Sequence, residues 1–345
     1  MAEFAQSLKI LILGLSLALY SVLSSAQQLP LAAKARANFR GFVKVRANLE
    51  LYVESVEPQA GMPTVVLVNG LTYTTKQWEH YANHMTEAGF GVIRFDMRGM
   101  GQTLLRYAPI LSTISYKDQV KDLKDLLVQL RVPTPYNIIG LSYGGGISLA
   151  FSQAYPQDVK NLIVMAPFTE PIAQTDKWLK MQVWLARQAN PLNPASDEEL
   201  YDFFLRQLIY TTYPASEPIL LENPYKLEGV FRMVQGIRHY RAASEVNKMP
   251  RAALSLIIAG DDKVVPREAL LNFWKVVPAA AKKSISIILN SQHKIPEEVP
   301  AFLAAYTGEI LLGNKVFSAG RSFTADPANG SVKYDGGELQ LPREH

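Results

Sequence analysis

The chain has 345 residues, of which 48% are hydrophobic and 19% charged, a balance typical of a globular protein and not of a disordered or fibrous one. The net charge is +4, and the basic residues are spread along the chain. A protein that binds nucleic acid usually clusters its basic residues, so the sequence does not favour nucleic-acid binding. The sequence contains no cysteine, which excludes disulfides, thiolate metal sites, a cysteine nucleophile and lipoprotein attachment.

The first 26 residues differ in composition from the rest. Lys9 precedes an apolar stretch from Ile10 to Leu23, and small residues at Ser24 and Ala26 occupy the positions that a signal peptidase inspects. This pattern predicts a signal peptide over residues 1–26 and a periplasmic or secreted protein with no stable membrane span after cleavage. The alternative is an uncleaved membrane anchor, although the apolar stretch is short for a span of about 20 residues.

Two kinds of strand are predicted after the signal peptide. Residues Phe39 to Ala47 and Leu49 to Val56 alternate apolar and polar side chains, which indicates a half-exposed antiparallel pair at a sheet edge. Later runs are short and almost continuously apolar, the pattern of strands that are covered on both faces. These runs are 64–68, 91–95, 137–139, 161–165, 254–258 and 285–289.

Helical patterns separate most of these apolar runs. Between Tyr116 and Leu130, for example, Val120, Leu123 and Leu127 recur at helical spacing. Strand and helix in alternation predict an α/β fold, with a mostly parallel central sheet and helices on both faces.

The alternation stops between Pro167 and Pro250, where three amphipathic helical segments replace it. They are predicted at 176–188, 197–210 and 225–240. We interpret residues 169–249 as a helical cap inserted into a core formed by residues 27–168 and 250–312. Residues 313–345 are predicted to form a tail or a hairpin, since Asn329-Gly330 is a turn signal.

The pentapeptide Gly140-Leu141-Ser142-Tyr143-Gly144 lies between a predicted buried strand and a predicted helix. This G-x-S-x-G pattern is typical of a nucleophile elbow, in which a sharp turn exposes the serine hydroxyl above the sheet. Small residues on both sides let the chain pass through the turn without collision. Ser142 is therefore the candidate nucleophile.

A serine nucleophile requires an imidazole base and a carboxylate that orients the base. Of the five histidines, His293 has the suitable position, because it follows the last buried strand in a loop at the carboxyl edge of the sheet. His80 and His84 are four residues apart, but without an H-E-x-x-H arrangement they are interpreted as part of a solvated helix face. The strand at 254–258 is followed by two candidate acids, Asp261 and Asp262.

These motifs resemble those of the α/β-hydrolase superfamily over roughly Asn48 to Ala304, apart from the cap. The segment from Asp96 to Thr103 is similar to the family's D-x-R-G-x-G-x-S loop, with threonine in place of serine, and the resemblance gives Asp96 and Arg98 structural roles. The residues that follow His293, including Pro296 and Pro300, are similar to the family's closing motif.

The resemblance also bears on the choice of acid and on the oxyanion hole. The family spacing, counted back from Pro266, favours Asp262 over Asp261, and some members have their acid where this chain has Glu170. An oxyanion hole needs two backbone N–H donors. Tyr143 is expected to supply one and Leu71 the other, from the segment Asn69-Gly70-Leu71 where the family usually has His-Gly.

The resemblance implies a serine hydrolase that cleaves a carboxylic ester through an acyl-enzyme on Ser142, with no metal or organic cofactor. The expected partner is a small ester or lipid-like molecule, and the oligomeric state is left open. Serine at the elbow argues against haloalkane dehalogenases and epoxide hydrolases, whose nucleophile is an aspartate. Peptidase, thioesterase, acyltransferase and carbon–carbon hydrolase reactions stay open, as does a binding protein without turnover.

Five cap aromatics are expected either to line an acyl pocket or to pack the cap onto the core: Trp178, Trp184, Phe203, Phe204 and Phe231.

Overall fold

A computed structural model describes residues 38–212, 223–318 and 320–344 of the chain. The predicted signal peptide, residues 1–26, lies outside the described residues. Within the described ranges, no helix combines the length and the apolar character that crossing a membrane requires.

Eleven strands in the described residues form one sheet, in the order β1-β2-β4-β3-β5-β6-β7-β8-β9-β10-β11. From β4 to β9 the neighbouring strands are parallel, and both ends of the sheet are antiparallel. The strand bounds are β1 (Asn38–Arg46), β2 (Leu49–Val56), β3 (Thr64–Val68), β4 (Gly91–Asp96), β5 (Tyr136–Leu141), β6 (Val159–Met165), β7 (Leu254–Ala259), β8 (Lys282–Ile288), β9 (Arg321–Asp326), β10 (Ser331–Tyr334) and β11 (Gly337–Gln340).

Ten α-helices are present in the described residues, together with short 3-10 helices at Thr75–Trp78, Pro156–Asp158, Ala242–Lys248 and Ala279–Ala281. The α-helices are α1 (Glu79–Glu87), α2 (Gly101–Tyr107), α3 (Tyr116–Gln129), α4 (Ser142–Ala154), α5 (Ala173–Ala189), α6 (Asp197–Thr212), α7 (Lys226–Ile237), α8 (Arg267–Val276), α9 (Ile295–Glu298) and α10 (Pro300–Leu312).

Each face of the sheet has its own hydrophobic core. On β3, Val66 and Val68 join the core that contains α3, α4 and α8, whereas Val65 and Leu67 join the core that contains α1 and α10. Successive side chains of a strand point to opposite faces, so a strand with helices on both sides is apolar at most positions. The predicted fold class, a mostly parallel sheet with helices on both faces, is confirmed.

The segment between β6 and β7 contains the helices α5, α6 and α7. Their shared core consists of Leu179, Leu205, Ile209, Leu227, Val230 and Phe231. Helix α7 also contacts the main core through Met233 and Ile237, which anchors this segment above the sheet. Helix α5 begins at Ala173, three residues before the predicted start, because its polar first turn carries no apolar periodicity.

The residues after Leu312 add three strands to the sheet. The turn at Asn329-Gly330 joins β9 to β10, in which Phe323 pairs with Tyr334 and Asp326 with Ser331. Strand β9 pairs in parallel with β8, and its Phe323 and Ala325 are buried in the core. The segment that the sequence assigns to a tail or hairpin thus extends the central sheet.

Candidate active site

Ser142 lies at the junction between β5 and α4, the position that the elbow pattern predicts. Its backbone is in the left-handed region, with φ of +53°, which a residue with a side chain adopts only where the surrounding structure imposes it. A Cβ atom at Gly144 would overlap the carbonyl oxygens of Val68 and Asn69, and a Cβ at Gly140 would overlap the Ser148 hydroxyl. The two glycines therefore let the turn pack directly against the end of β3.

The loops after β7 and β8 bring Asp262 and His293 together. His293 Nδ1 lies 2.8 Å from Asp262 Oδ2, and the Asp262 side chain is almost completely buried. Asp262 Oδ1 accepts hydrogen bonds from the backbone N–H groups of Val264 and Val265, at 2.7 and 3.0 Å. Burial acts to raise the pKa of Asp262, but the hydrogen bonds from His293, Val265 and Val264 outweigh it and keep this pKa below its usual value.

The two alternative acids occupy different positions. Asp261 is exposed, and its backbone N–H donates to the Ser291 carbonyl oxygen at 2.8 Å. Glu170 is exposed as well. In the described part of the chain, Asp262 is the carboxylate that contacts His293.

Ser142 and His293 line one cavity, with a volume of about 350 Å³. Tyr143 and Leu71, the predicted oxyanion donors, line the same cavity. The Tyr143 N–H belongs to the first turn of α4, where backbone donors have no partner within the helix. The structure thus brings the elbow, the His293–Asp262 pair and both candidate donors to the carboxyl edge of the sheet.

The rest of the cavity wall comes mainly from the cap and is largely aliphatic. Its apolar members include Phe168, Pro171, Ile172, Leu179, Leu205, Val234, Ile237 and Val265, and its polar members include Thr175, Asp176, Tyr201, Arg238 and Lys294. Sequence reasoning missed this set, because aliphatic residues at helical spacing serve equally to pack the cap. Among the described residues, no cluster of three or more histidines and carboxylates is suited to a metal ion.

The expectation that cap aromatics line the acyl pocket is wrong for all five residues. Phe204 and Phe231 belong to the apolar core of the cap itself, so they pack the cap helices against one another. Trp178, Trp184 and Phe203 are 38%, 59% and 54% exposed. These three side chains therefore neither line the cavity nor pack the cap onto the sheet.

The sequence model of the family described as serine aminopeptidase, S33, matches residues 60–300. The chain belongs to this family. The match spans β3 to the start of α10, including the cap, Ser142, Asp262 and His293. The α/β-hydrolase resemblance is confirmed, and the protein is a hydrolase of this family.

Individual relatives of this α/β hydrolase are distant. An uncharacterized abhydrolase domain-containing protein of Dictyostelium discoideum is 22% identical over 271 residues, covering 74% of this chain and 26% of its own length. A monoacylglycerol lipase of Mycolicibacterium smegmatis is 22% identical over 136 residues, covering 39% of this chain and 48% of its own length. The chain thus spans between about a quarter and a half of the length of these curated relatives.

A solved structure with the same fold is MGS-M2, an α/β hydrolase from a Medee basin deep-sea metagenome library. It aligns with a TM-score of 0.59 and 18% identity, covering 81% of this chain and 98% of its own. At this identity the likeness supports the fold alone.

The α/β hydrolase has a structural loop after β4. Both carboxylate oxygens of Asp96 accept backbone hydrogen bonds, from Thr75 and Gln102 at 2.8 Å each, and burial raises the pKa of Asp96 to about 6. The Thr103 hydroxyl donates to the Asp96 carbonyl oxygen, so threonine provides the hydroxyl of the family's serine. Arg98 makes two hydrogen bonds to the buried carboxylate of Asp122. Neither Asp96 nor Arg98 lines the cavity beside Ser142.

Asn69 stands where the family usually has histidine, and its buried side chain holds the loop after β3 in place. Its amide nitrogen donates to the Phe95 carbonyl oxygen at 2.8 Å, and its amide oxygen accepts from the Trp78 indole N–H at 2.9 Å. The asparagine therefore ties the loop after β3 both to β4 and to the helix that follows the loop.

We expect Asn69→Ala to lower the free energy of unfolding by about 2 kcal/mol, because it removes the hydrogen bond to the Phe95 carbonyl oxygen and leaves the buried Trp78 indole N–H without its partner. Urea denaturation measures this change. The matched control is Asn83→Ala on the exposed face of α1, which should change stability by no more than about 0.5 kcal/mol. Equal midpoints for the two variants would contradict the role assigned to Asn69.

Proposed function

We propose that the protein is a secreted or periplasmic serine hydrolase that cleaves a carboxylic ester of an apolar acyl chain. The observation that carries the proposal is the position of Ser142, at a strained elbow that opens into a largely aliphatic cavity shared with His293. The hydrogen bond between His293 and the buried Asp262 supports the same chemistry.

In the proposed mechanism, the Ser142 hydroxyl attacks the ester carbonyl while His293 Nε2 accepts its proton. Asp262 stabilises the resulting imidazolium through Nδ1, and the backbone N–H groups of Tyr143 and Leu71 bind the oxyanion. His293 then donates the proton to the departing alcohol, which leaves an acyl group on Ser142. A water molecule, deprotonated by His293, hydrolyses the acyl-enzyme and restores the free serine.

Two observations support an acyl substrate. The cavity wall is mainly aliphatic, as binding of a hydrocarbon chain requires, and one relative is a monoacylglycerol lipase. The family description instead suggests an aminopeptidase, and one cavity residue, Asp176, has a carboxylate that suits a substrate ammonium group. Asp176 already pairs with Lys180 at 2.7 Å and accepts from the Tyr201 hydroxyl, which makes peptide cleavage the second candidate.

The proposal is tested with purified protein, a fluorophosphonate probe and p-nitrophenyl esters of graded acyl length, beside aminoacyl p-nitroanilides. We expect one phosphonylated peptide, which contains Ser142, and turnover of esters in preference to anilides. Absence of labelling together with absence of turnover would refute the hydrolase proposal, whereas preferred anilide cleavage would select the peptidase. Secretion has its own test, since the exported protein should begin at Gln27.

Val234 provides a test of the acyl cavity, because it lines the wall and is only partly buried in the cap. Val234→Phe should shift the preference to shorter esters, with kcat/KM for the longest accepted chain falling about tenfold as the cavity loses volume. Val128→Phe, at an exposed position of α3, is the matched control and should leave the chain-length profile unchanged. An unchanged profile in Val234→Phe would place the acyl chain elsewhere.

A further inference from the structure

Helix α5 of the cap has apolar side chains on two opposite sides. On the inner side Leu179 and Val183 are buried, and Leu179 lines the cavity beside Ser142. The side chains on the other side face solvent, and together they form what we term the outer face of α5. Its members are Trp178, Met181, Trp184 and Leu185, with exposures of 38%, 49%, 59% and 46%.

The outer face is a continuous stripe, not a scatter of single residues. Trp178, Met181 and Leu185 are spaced three and four apart, and Trp184 lies three residues after Met181, so all four fall on one side of a helix with 3.6 residues per turn. The face holds two of the four tryptophans of the chain. Single exposed apolar residues are common on protein surfaces, but contiguous apolar patches mark interaction sites.

The charges on α5 favour an anionic partner. The helix carries three basic residues, Lys177, Lys180 and Arg187, and one acidic residue, Asp176. Arg187 is partly buried and pairs with Asp197 of α6 at 2.7 Å, so the cations available to a partner are the two lysines. Asp176 belongs to the cavity side, where it pairs with Lys180, which is itself 69% exposed. Lys177 is exposed beside Trp178 and makes no ion pair within the described residues. The outer face therefore combines indole rings and aliphatic side chains with the exposed ammonium groups of Lys177 and Lys180 at its flank, a composition typical of helices that lie in a lipid interface.

We propose that the outer face of α5 docks on an anionic lipid surface. In this orientation the tryptophan rings enter the region of the headgroups, and the basic flank contacts the lipid phosphates. The inner side of the same helix lines the cavity, so docking places one wall of the cavity within one helix diameter, roughly 10 Å, of the lipid. The benefit of docking for catalysis rests on the proposed ester hydrolysis, but docking itself does not require it.

Tryptophan fluorescence of the full-length chain tests the docking. Vesicles that contain brominated phosphatidylglycerol quench only indole rings that reach the lipid, and residues 1–37 contain no tryptophan that would report insertion of the N-terminal segment. Trp78 is completely buried and serves as an internal unquenched reference. We expect quenching by brominated phosphatidylglycerol that weakens with added salt and with zwitterionic vesicles.

The decisive variant is Met181→Asp combined with Leu185→Asp, which should reduce the quenching by about tenfold or more, because it places two carboxylates at the lipid contact. Leu312→Asp, at an exposed position outside the cap, is the control and should quench like the wild type. Both positions of the double variant are exposed, and circular dichroism with a thermal melt verifies that it folds.

Equal quenching in the double variant, or no quenching in the wild type, would overturn the proposal. A third outcome would also overturn it. If the wild type were a dimer, the double variant a monomer, and vesicles had no effect on either, a second copy of the chain would cover the face. Ser142→Ala should retain the quenching. The docking proposal and the ester-hydrolysis proposal can therefore be refuted separately.

Discussion

Replacement of Ser142 by alanine is expected to lower kcat/KM for p-nitrophenyl esters by about 10⁴-fold or more, because the variant has no nucleophile to form an acyl-enzyme. The strain at this residue, with φ of +53°, comes from the elbow itself and not from the hydroxyl, so alanine should be accommodated there. The variant should therefore fold and unfold like the wild type while it loses turnover and fluorophosphonate labelling.

Ser152→Ala is the matched control. Ser152 lies on the same helix, is completely buried, and donates its hydroxyl to the Leu149 carbonyl oxygen. Its loss should leave kcat/KM within about twofold, because the residue does not line the cavity. Turnover that persists in Ser142→Ala, measured in protein free of contaminating esterases, would show that another residue is the nucleophile.

The buried strands could be predicted from the sequence because burial on both faces leaves an unmistakable pattern. The run Val65 to Val68 is apolar throughout since its alternate residues enter two different cores. Strand β2 could be predicted for the complementary reason, because its burial alternates from Leu49 to Val53, whereas β1 at the sheet edge is exposed or half-buried over most of its length. The spacing of apolar residues along a strand indicates which of its faces are buried, and both predictions need only this local information.

Features that depend on distant contacts could not be predicted in this way. The sequence predicts β9 as part of a terminal hairpin, which it forms with β10. Its parallel pairing with β8, a contact between distant residues, makes it part of the central sheet. The cap aromatics have helical spacing, but the spacing does not tell which face of α5 meets the cavity, and both faces of that helix are apolar. For Trp178 and Trp184 the outcome is a solvent-facing stripe that neither alternative anticipates.

The choice between Asp261 and Asp262 shows the limit of residue patterns at the site. Both carboxylates follow the same strand, so strand position alone does not separate them, and the family spacing from Pro266 was needed to favour Asp262. The physical difference is the turn after β7. There the N–H groups of Val264 and Val265 point at one oxygen of Asp262 and leave the other for His293, while Asp261 faces solvent.

Asp262→Asn is expected to lower kcat/KM by about 10³- to 10⁴-fold, since the amide does not stabilise the imidazolium and favours the wrong tautomer of His293. The carboxamide oxygen can still accept from Val264 and Val265, so the turn should persist. Asp261→Asn and Glu170→Gln are the controls, and each should retain activity within about twofold, because both side chains are exposed and lie away from His293. The measurement is kcat/KM for one ester across all three variants.

The pattern of the three variants separates a triad acid from a merely structural carboxylate. If Asp262 orients and charges His293, the loss should fall on kcat, with little change in KM or in the unfolding midpoint. If Asp262 only holds the turn, the free energy of unfolding should fall instead, and activity should follow stability in both Asp262→Asn and Asp262→Glu. Loss of activity in Asp261→Asn with activity retained in Asp262→Asn would reverse the assignment, because the hydrogen bond at His293 Nδ1 would then have no catalytic consequence.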